Sequence, residues 1–281
     1  MLTQMNLISN TVMCIKWIGI ESDASYLSIL PFFHSYGLMT GLLAPLYIGA
    51  KVVLFPKFDP KQVLKSIEKD KIIVFCGVPT IYSKLLADSD LGKYDYSSLE
   101  YCISGADPLT PELKEQFTDV FGSIIVEGYG LSEASPITHS NPLGDSEEYR
   151  YGSIGIPFPD TDAKIVDIET GETTLKAGEF GELVVKGPQV MKGYWERPDE
   201  TFSVLRDGWL YTGDICKMDE DGYFYLINRK KDLIKYKGHS VYPRELEEIL
   251  YEHPAVKLCS VIGKPDPTAC MIPKAYIVLN E

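Results

Sequence analysis

The first half of the chain alternates short, unbroken apolar runs with amphipathic stretches. The apolar runs predict buried strands over 26–30, 51–55, 72–76, 101–104 and 124–126. Between them, helical patterns cover 38–47, 60–69, 79–87 and 111–121. Asp59 and Thr110 stand where a side-chain oxygen can cap a helix start, and Pro60 suits a first helical position, whose N–H has no partner to lose. Strands that are apolar on both faces and separated by helices predict an α/β fold with a doubly wound, mostly parallel sheet.

After about Pro142 the helical periodicity vanishes. Short strands at 163–167, 181–186, 208–211 and 223–227 alternate with glycine turns, and Asp221-Gly222 is a hairpin signal. This texture predicts a small β-barrel or sandwich. The charged run Asn228-Arg229-Lys230-Lys231-Asp232 reads as a hinge. Strands at 233–237 and 239–242 follow, then an amphipathic helix over 243–252 with Leu246, Ile249 and Leu250 on one face, then strands at 257–262 and 275–279. Three regions are expected. They are an α/β part over 1–145, a β-barrel subdomain over 146–231, and a partial α+β domain over 232–281.

Composition narrows the class. The 281 residues are 45% hydrophobic and 24% charged, enough for a sizeable core. The net charge of −13 argues against nucleic acid as a partner, since phosphate backbones attract basic faces. None of the six cysteines forms a C-x-x-C pair, and Cys76 and Cys102 sit in apolar runs, as buried thiols in the reducing cytoplasm would. The four histidines, His34, His139, His239 and His253, lack metal-ligand spacing. Residues 24–50 carry no Asp, Glu, Lys or Arg, a run longer than the roughly 20 residues that cross a bilayer. Pro31, Pro45 and His34 interrupt it, so it reads as strand, turn and helix, and no transmembrane segment is expected. The first ten residues do not read as a signal peptide.

Candidate chemistry lies where strands end, because ligands of open α/β sheets bind beyond the carboxyl ends. One such end is Ser104-Gly105-Ala106-Asp107-Pro108-Leu109, and another is Glu127-Gly128-Tyr129-Gly130-Leu131-Ser132-Glu133. Gly128 and Gly130 let backbone approach a ligand, Tyr129 offers a flat face to an aromatic base, and Gly105 leaves room on the base's other side. Ser132 can donate to a phosphate oxygen, and Glu133 offers a hard oxygen to Mg²⁺. A strand-to-turn corner with a capping serine explains the same residues equally well. Asp214, in Tyr211-Thr212-Gly213-Asp214, can accept both ribose hydroxyls, though turn chemistry also accounts for it. Arg229 reads as a ribose or phosphate donor or as part of a solvated charge run. His34 reads as lining an apolar substrate pocket or as a satisfied core histidine.

In chain order, "LPFFHSYG", "SGADPLT", "EGYGLSEAS", "MKGYWERPDET", "YTGDI" and "INRKKDLIKYKGHSVYPRELEEIL" resemble the acyl- and aryl-adenylating superfamily, with fatty acyl-CoA ligases the nearest likeness. The resemblance implies an acetyl-CoA synthetase-like fold and a two-step reaction that uses ATP and Mg²⁺, with coenzyme A as second substrate. A carboxylate, expected to be a fatty acid, attacks the α-phosphate of ATP, and the thiol of coenzyme A then takes the acyl group from acyl-AMP. Motif by motif it assigns Gly105, Ala106, Asp107, Glu127, Gly128, Tyr129, Gly130, Leu131 and Ile227 to the nucleotide, with Asp214 and Arg229 fixing the ribose. Ser132 would touch phosphate and Glu133 would bind Mg²⁺. His34, Ser35, Tyr36 and Gly37 fall to the acyl pocket, Asp232 to the hinge, and Lys235 and Gly238 to the thioester-forming step.

Two family features are not in this sequence. No Ser/Thr/Gly-rich phosphate loop ending in lysine precedes the histidine motif, and Lys274 does not stand in the context of the family's adenylation lysine. A fragment with little adenylating activity but residual AMP binding is the expectation, forming a homodimer or pairing with the absent portion. The alternatives are a catalytically dead or split adenylate-binding module and an aryl-CoA ligase or adenylation domain. A dinucleotide-dependent dehydrogenase is excluded, since no G-x-G-x-x-G follows an early strand.

Overall fold

In a computed structural model of the protein, which describes residues 1–107, 109–143, 148–237 and 239–280, the apolar runs form a mixed sheet covered by helices. Helix α1 (Gln4–Ile18) starts at Thr3, whose Oγ1 accepts the Asn6 N–H at 3.1 Å while Asn6 Oδ1 accepts the Thr3 N–H at 2.8 Å. After β1 (Ser25–Ser28) come α2 (Ser35–Leu38), a π-helical turn over Met39–Leu43 and α3 (Ala44–Ile48), which together replace the single helix expected over 38–47. Next are β2 (Lys51–Leu54), α4 (Pro60–Asp70), β3 (Val74–Gly77), α5 (Pro79–Leu86), β4 (Tyr101–Ser104) and α6 (Pro111–Phe121). Asp59 and Thr110 cap α4 and α6, as their positions predict. Then follow β5 (Ile125–Gly130), β6 (Ile137–Ser140) and β7 (Ile156–Pro157).

The seven strands lie in the order β2-β1-β3-β4-β5-β6-β7. The first five run parallel, and β6 and β7 are antiparallel to their neighbours. Alternate residues face opposite sides. Leu27, Phe75, Cys102 and Ile125 pack with Leu64 and Ile67 of α4, Tyr82 and Leu85 of α5, and Phe117 and Phe121 of α6. Tyr26, Val74, Cys76 and Ile103 pack on the other side with Ile20 and Tyr36. Fully burying one such side chain stabilises by ~2–3 kcal/mol, so the two-faced core is what fixes the register.

Strand β5 runs four residues past the expected end at Val126. Residues 127–130 therefore continue the strand rather than follow its end: Gly128, Tyr129 and Gly130 pair with Ser140, His139 and Ile137. Strand β6 escapes the apolar pattern because its buried positions include Thr138, His139 and Ser140.

Further along lie β8 (Asp162–Val166), β9 (Gly181–Lys186), α7 (Pro198–Val204), β10 (Leu205–Arg206), β11 (Trp209–Met218) and β12 (Phe224–Arg229). Helix α7 was not expected in this region; Pro198 opens it, and Asp199 and Glu200 suit the positive end of its dipole. The last elements are β13 (Ile234–Tyr236), β14 (His239–Val241), α8 (Pro243–Tyr251), β15 (Val256–Asp266) and β16 (Cys270–Leu279).

The chain forms two compact units, one of residues 1–163 and 185–210, the other of 164–184 and 211–281. In the second unit, neighbouring strands run β12-β11-β9-β8, and a four-stranded sheet runs β14-β13-β16-β15. Among the described residues, no helix is long and apolar enough to cross a membrane.

Candidate nucleotide site

In the first unit, the carboxyl ends of β1, β4 and β5 carry the predicted residues. The strand order reverses between β1 and β3, the kind of switch point at which open α/β sheets bind ligands. Gly105 follows β4. A Cβ on it would lie 3.3 Å from the Tyr36 ring and 3.7 Å from the Gly128 carbonyl oxygen, so Tyr36, Gly105 and Gly128 meet. Tyr36 is buried and its hydroxyl donates to the carbonyls of Ile103 (3.0 Å) and Gly77 (3.3 Å). It therefore props Gly105 from beneath. Ala106 holds φ +73°, a left-handed conformation costly for a residue with a Cβ, and Ala106 and Asp107 are exposed.

The glycines around Tyr129 serve different ends. A Cβ on Gly130 would lie 2.1 Å from the Pro136 carbonyl oxygen, so the fold itself demands glycine there. A Cβ on Gly128 would meet only ordinary contacts at 3.7–3.9 Å, so the strand pairing does not forbid a side chain. Tyr129 is half-buried and stands edge-on to His139, with ring centroids 5.9 Å apart. Burial holds the His139 imidazole down to about 3, so a neutral ring backs Tyr129 at ordinary pH. Leu131 donates its N–H to the Pro136 carbonyl at 2.9 Å, closing the turn before Ser132.

Ser132 is exposed, and its Oγ lies 3.2 Å from Ser35 Oγ, which joins the "HSYG" and "GLSE" motifs. His34 is exposed rather than buried in the core. Its Nδ1 accepts the Tyr36 N–H at 3.2 Å, capping α2. Gly37 is required by close approach, since a Cβ would lie 2.4 Å from the Pro31 carbonyl oxygen. Glu133 accepts a 2.7 Å hydrogen bond from the Tyr194 hydroxyl, and its carbonyl accepts the Met191 N–H at 2.7 Å. Tyr194 was not singled out from sequence, although it lies in the "MKGYW" motif.

Glu127 shows a second set of unforeseen partners. Its Oε2 accepts the Tyr149 hydroxyl at 2.8 Å, and Lys114 Nζ sits 2.8 Å from the Tyr149 ring centroid and 4.5 Å from that of Tyr151. Lys114 is buried and, among the described residues, its Nζ has no hydrogen-bond partner. Burial pulls its amine down to about 8, against the pull of Glu127. The sequence disguises this lysine as a surface position of α6.

In the second unit, Asp214 of β11 and Arg229 of β12 are register partners, with Arg229 Nε 3.4 Å from Asp214 Oδ1. Asp214 is buried, while Arg229 is exposed. The Asp214 N–H donates to Thr212 Oγ1 at 3.1 Å, and that hydroxyl donates to the Leu183 carbonyl at 2.8 Å. Pairing shifts between Ile215↔Asn228 and Cys216↔Leu226, leaving Ile227 as the extra residue of a β-bulge beside Arg229. Asp232 is exposed at the end of a 3₁₀ turn over Lys230–Asp232. Lys235 is half-buried on β13 and donates to Ser240 Oγ at 3.1 Å. Gly238 lies outside the described residues.

The predicted residues thus gather into two sets, one in each unit. Among the described residues, no group of three or more His, Cys, Asp or Glu side chains could hold a metal, so Glu133 is a single hard-oxygen donor. Residues 1–195 match the family model described as AMP-binding enzyme, and residues 245–281 match that of the AMP-binding enzyme C-terminal domain. The chain belongs to the AMP-binding enzyme family.

Its relatives include a long-chain-fatty-acid–CoA ligase of Bacillus subtilis (strain 168), 49% identical over all of this chain and 50% of its own length. A feruloyl-CoA synthase of Amycolatopsis sp is 39% identical over 99% of this chain and 56% of its own length. Among solved structures, ATP-bound MatB from Rhodopseudomonas palustris superposes with a TM-score of 0.91 at 34% identity, covering all of this chain and 55% of that one. The chain therefore spans about half the length of the curated relatives it matches. The fold is that of the acetyl-CoA synthetase-like adenylate-forming enzymes.

Proposed function

We propose that this chain forms the adenosine-holding and acyl-holding portion of an AMP-forming acid–CoA ligase acting on a fatty acid. The buried Asp214, its backbone N–H tied to Thr212 in its own turn and its carboxylate paired with Arg229, carries the reading. A carboxylate held in this way accepts two hydrogen bonds from a vicinal diol, and the guanidinium beside it adds a donor. In the first unit, Tyr129 would stack on adenine, with Gly105, Ala106, Asp107, Glu127, Gly128 and Leu131 around the base. The neutral His139 behind Tyr129 supports this, since it holds the ring without adding charge.

Mg²⁺ fits Glu133 as one carboxylate that leaves the remaining positions to phosphate and water, and its role would be to neutralise phosphate charge. The Tyr194 hydroxyl would aim that carboxylate, and Ser132 would donate to a phosphate oxygen. His34 and Ser35, at the carboxyl end of β1, would orient the incoming acid. A carboxylate oxygen of the acid bonds to the α-phosphorus as pyrophosphate leaves. The thiol sulfur of coenzyme A then bonds to the acyl carbon as AMP leaves, with Lys235 and Gly238 engaged at that step and Asp232 as the hinge. The feruloyl-CoA synthase relative at 39% identity favours an aromatic acid as the second reading of the substrate.

Exposed Phe33, Leu46 and Leu54 support pairing with further protein surface, a second copy or the portion that longer relatives possess. The buried, unpaired Cys14, Cys76, Cys102 and Cys216 support a cytoplasmic home.

Titration calorimetry with AMP tests the reading. Asp214→Ala lowers AMP affinity about 10-fold to 100-fold, the cost of losing hydrogen bonds to a charged group. Undiminished affinity in that variant overturns the ribose assignment. Pyrophosphate exchange by this chain alone should be weak or absent, because no phosphate loop with its lysine occurs in the sequence.

A further inference from the structure

We propose that Glu182 is a positioning residue that sets the geometry of the Asp214–Arg229 pair. This rests on the reading of that pair as a ribose clamp. Glu182 lies on β9 and is buried, which makes its carboxylate costly unless it is well partnered. It has two partners. Oε1 accepts the Gly213 N–H at 3.1 Å, and Oε2 accepts from Lys230 Nζ at 2.7 Å. Gly213 immediately precedes Asp214, and Lys230 immediately follows Arg229. One carboxylate thus grips β11 and the residue that follows β12, at positions adjacent to the pair.

The grip falls beside a glycine turn and a β-bulge. Gly213 adopts φ +74°, a left-handed conformation, and carries no side chain that could pack to hold the turn. The bulge at Ile227 loosens the β11–β12 ladder close to Arg229. Glu182 on one edge, with Thr212 anchored to the Leu183 carbonyl beside it, makes β9 the template for both. The ion pair is one-sided in burial: the Glu182 side chain is 5% exposed and that of Lys230 is 41% exposed. Lys230 can therefore turn to solvent when Glu182 is lost, and the clamp relaxes without the whole unit unfolding.

Two ligands separate positioning from simple stabilisation. AMP and 2′,3′-dideoxy-AMP share base and phosphate, but only AMP presents the diol. The wild-type chain binds AMP more tightly than the dideoxy compound. In Glu182→Ala, AMP affinity falls about 10-fold while dideoxy-AMP affinity stays within about twofold, so discrimination collapses. In Glu182→Gln, which keeps a neutral acceptor for Gly213 but loses the charge facing Lys230, discrimination falls to an intermediate value, and this milder variant serves if the alanine variant does not fold. Amide hydrogen exchange reads the same contact without ligand: Gly213 exchanges faster in the alanine variant. Wild-type discrimination retained in full by both variants overturns the role of Glu182 and leaves the ribose clamp standing. Equal affinity of the wild-type chain for both ligands overturns the clamp itself and the positioning role with it.

Discussion

Replacing Lys114 by methionine is expected to stabilise the first unit at neutral pH. The lysine is 4% exposed on α6, and its Nζ lacks a hydrogen-bond partner among the described residues. It faces the Tyr149 and Tyr151 rings and the Glu127 carboxylate, with Glu115, Thr118 and Asp119 of its own helix lining the same cavity. Burial lowers the amine from 10.5 to about 8. That drop corresponds to a cost of about 3 kcal/mol while the amine stays charged in the folded chain. The contact with the Tyr149 face returns ~1–2 kcal/mol, so methionine of similar volume gains about 1–2 kcal/mol at pH 7. The sign of the pH dependence follows. Between about pH 8 and 10.5 only the unfolded chain keeps the proton, so wild-type stability rises by about 3 kcal/mol through that window, and the advantage of the variant vanishes near its middle and reverses by its upper end. All three tryptophans, Trp17, Trp195 and Trp209, belong to the first unit, so urea unfolding followed by tryptophan fluorescence reports on it alone. A Lys114→Met variant that is less stable at pH 7, or whose difference from wild type does not change between pH 7 and 10.5, refutes the reasoning.

The two glycines that flank Tyr129 should respond oppositely. Gly130→Ala drives a methyl into the Pro136 carbonyl, 2.1 Å away, and costs ~2–3 kcal/mol in the same unfolding experiment. Gly128→Ala meets only contacts of 3.7–3.9 Å and keeps stability within about 1 kcal/mol, while calorimetry shows AMP affinity lost to the added methyl. His139, held down to about 3 by burial, makes the wild-type chain lose stability as pH falls from 6.5 toward 3, because only the unfolded chain takes up the proton there. His139→Gln removes that component, on the order of 2–4 kcal/mol, and acid unfolding curves of the two proteins measure it.

Local chemistry was legible without coordinates. Capping by Asp59 and Thr110, the apolar strands β1 to β4, and the two-faced burial of the parallel sheet all follow from which residues stand next to one another. Each depends on short-range spacing, and hydrophobic burial then has one satisfactory arrangement. The family motifs were legible for the same reason, since each is a contiguous run of residues.

What only the folded chain decided lies between segments distant in sequence. Strand β5 reaches Gly130 because β6 supplies hydrogen bonds, and a strand whose inward residues are Thr138, His139 and Ser140 leaves no apolar signature. Gly128 and Gly130 look alike in sequence, yet Pro136 crowds only the second. Lys114 and Glu182 each read as ordinary charged positions, and they become buried charges only when Tyr149 and Lys230 arrive from 35 and 48 positions further along the chain. The free energy of a buried charge depends on which partners surround it in space, and a linear pattern of residues carries no measure of that.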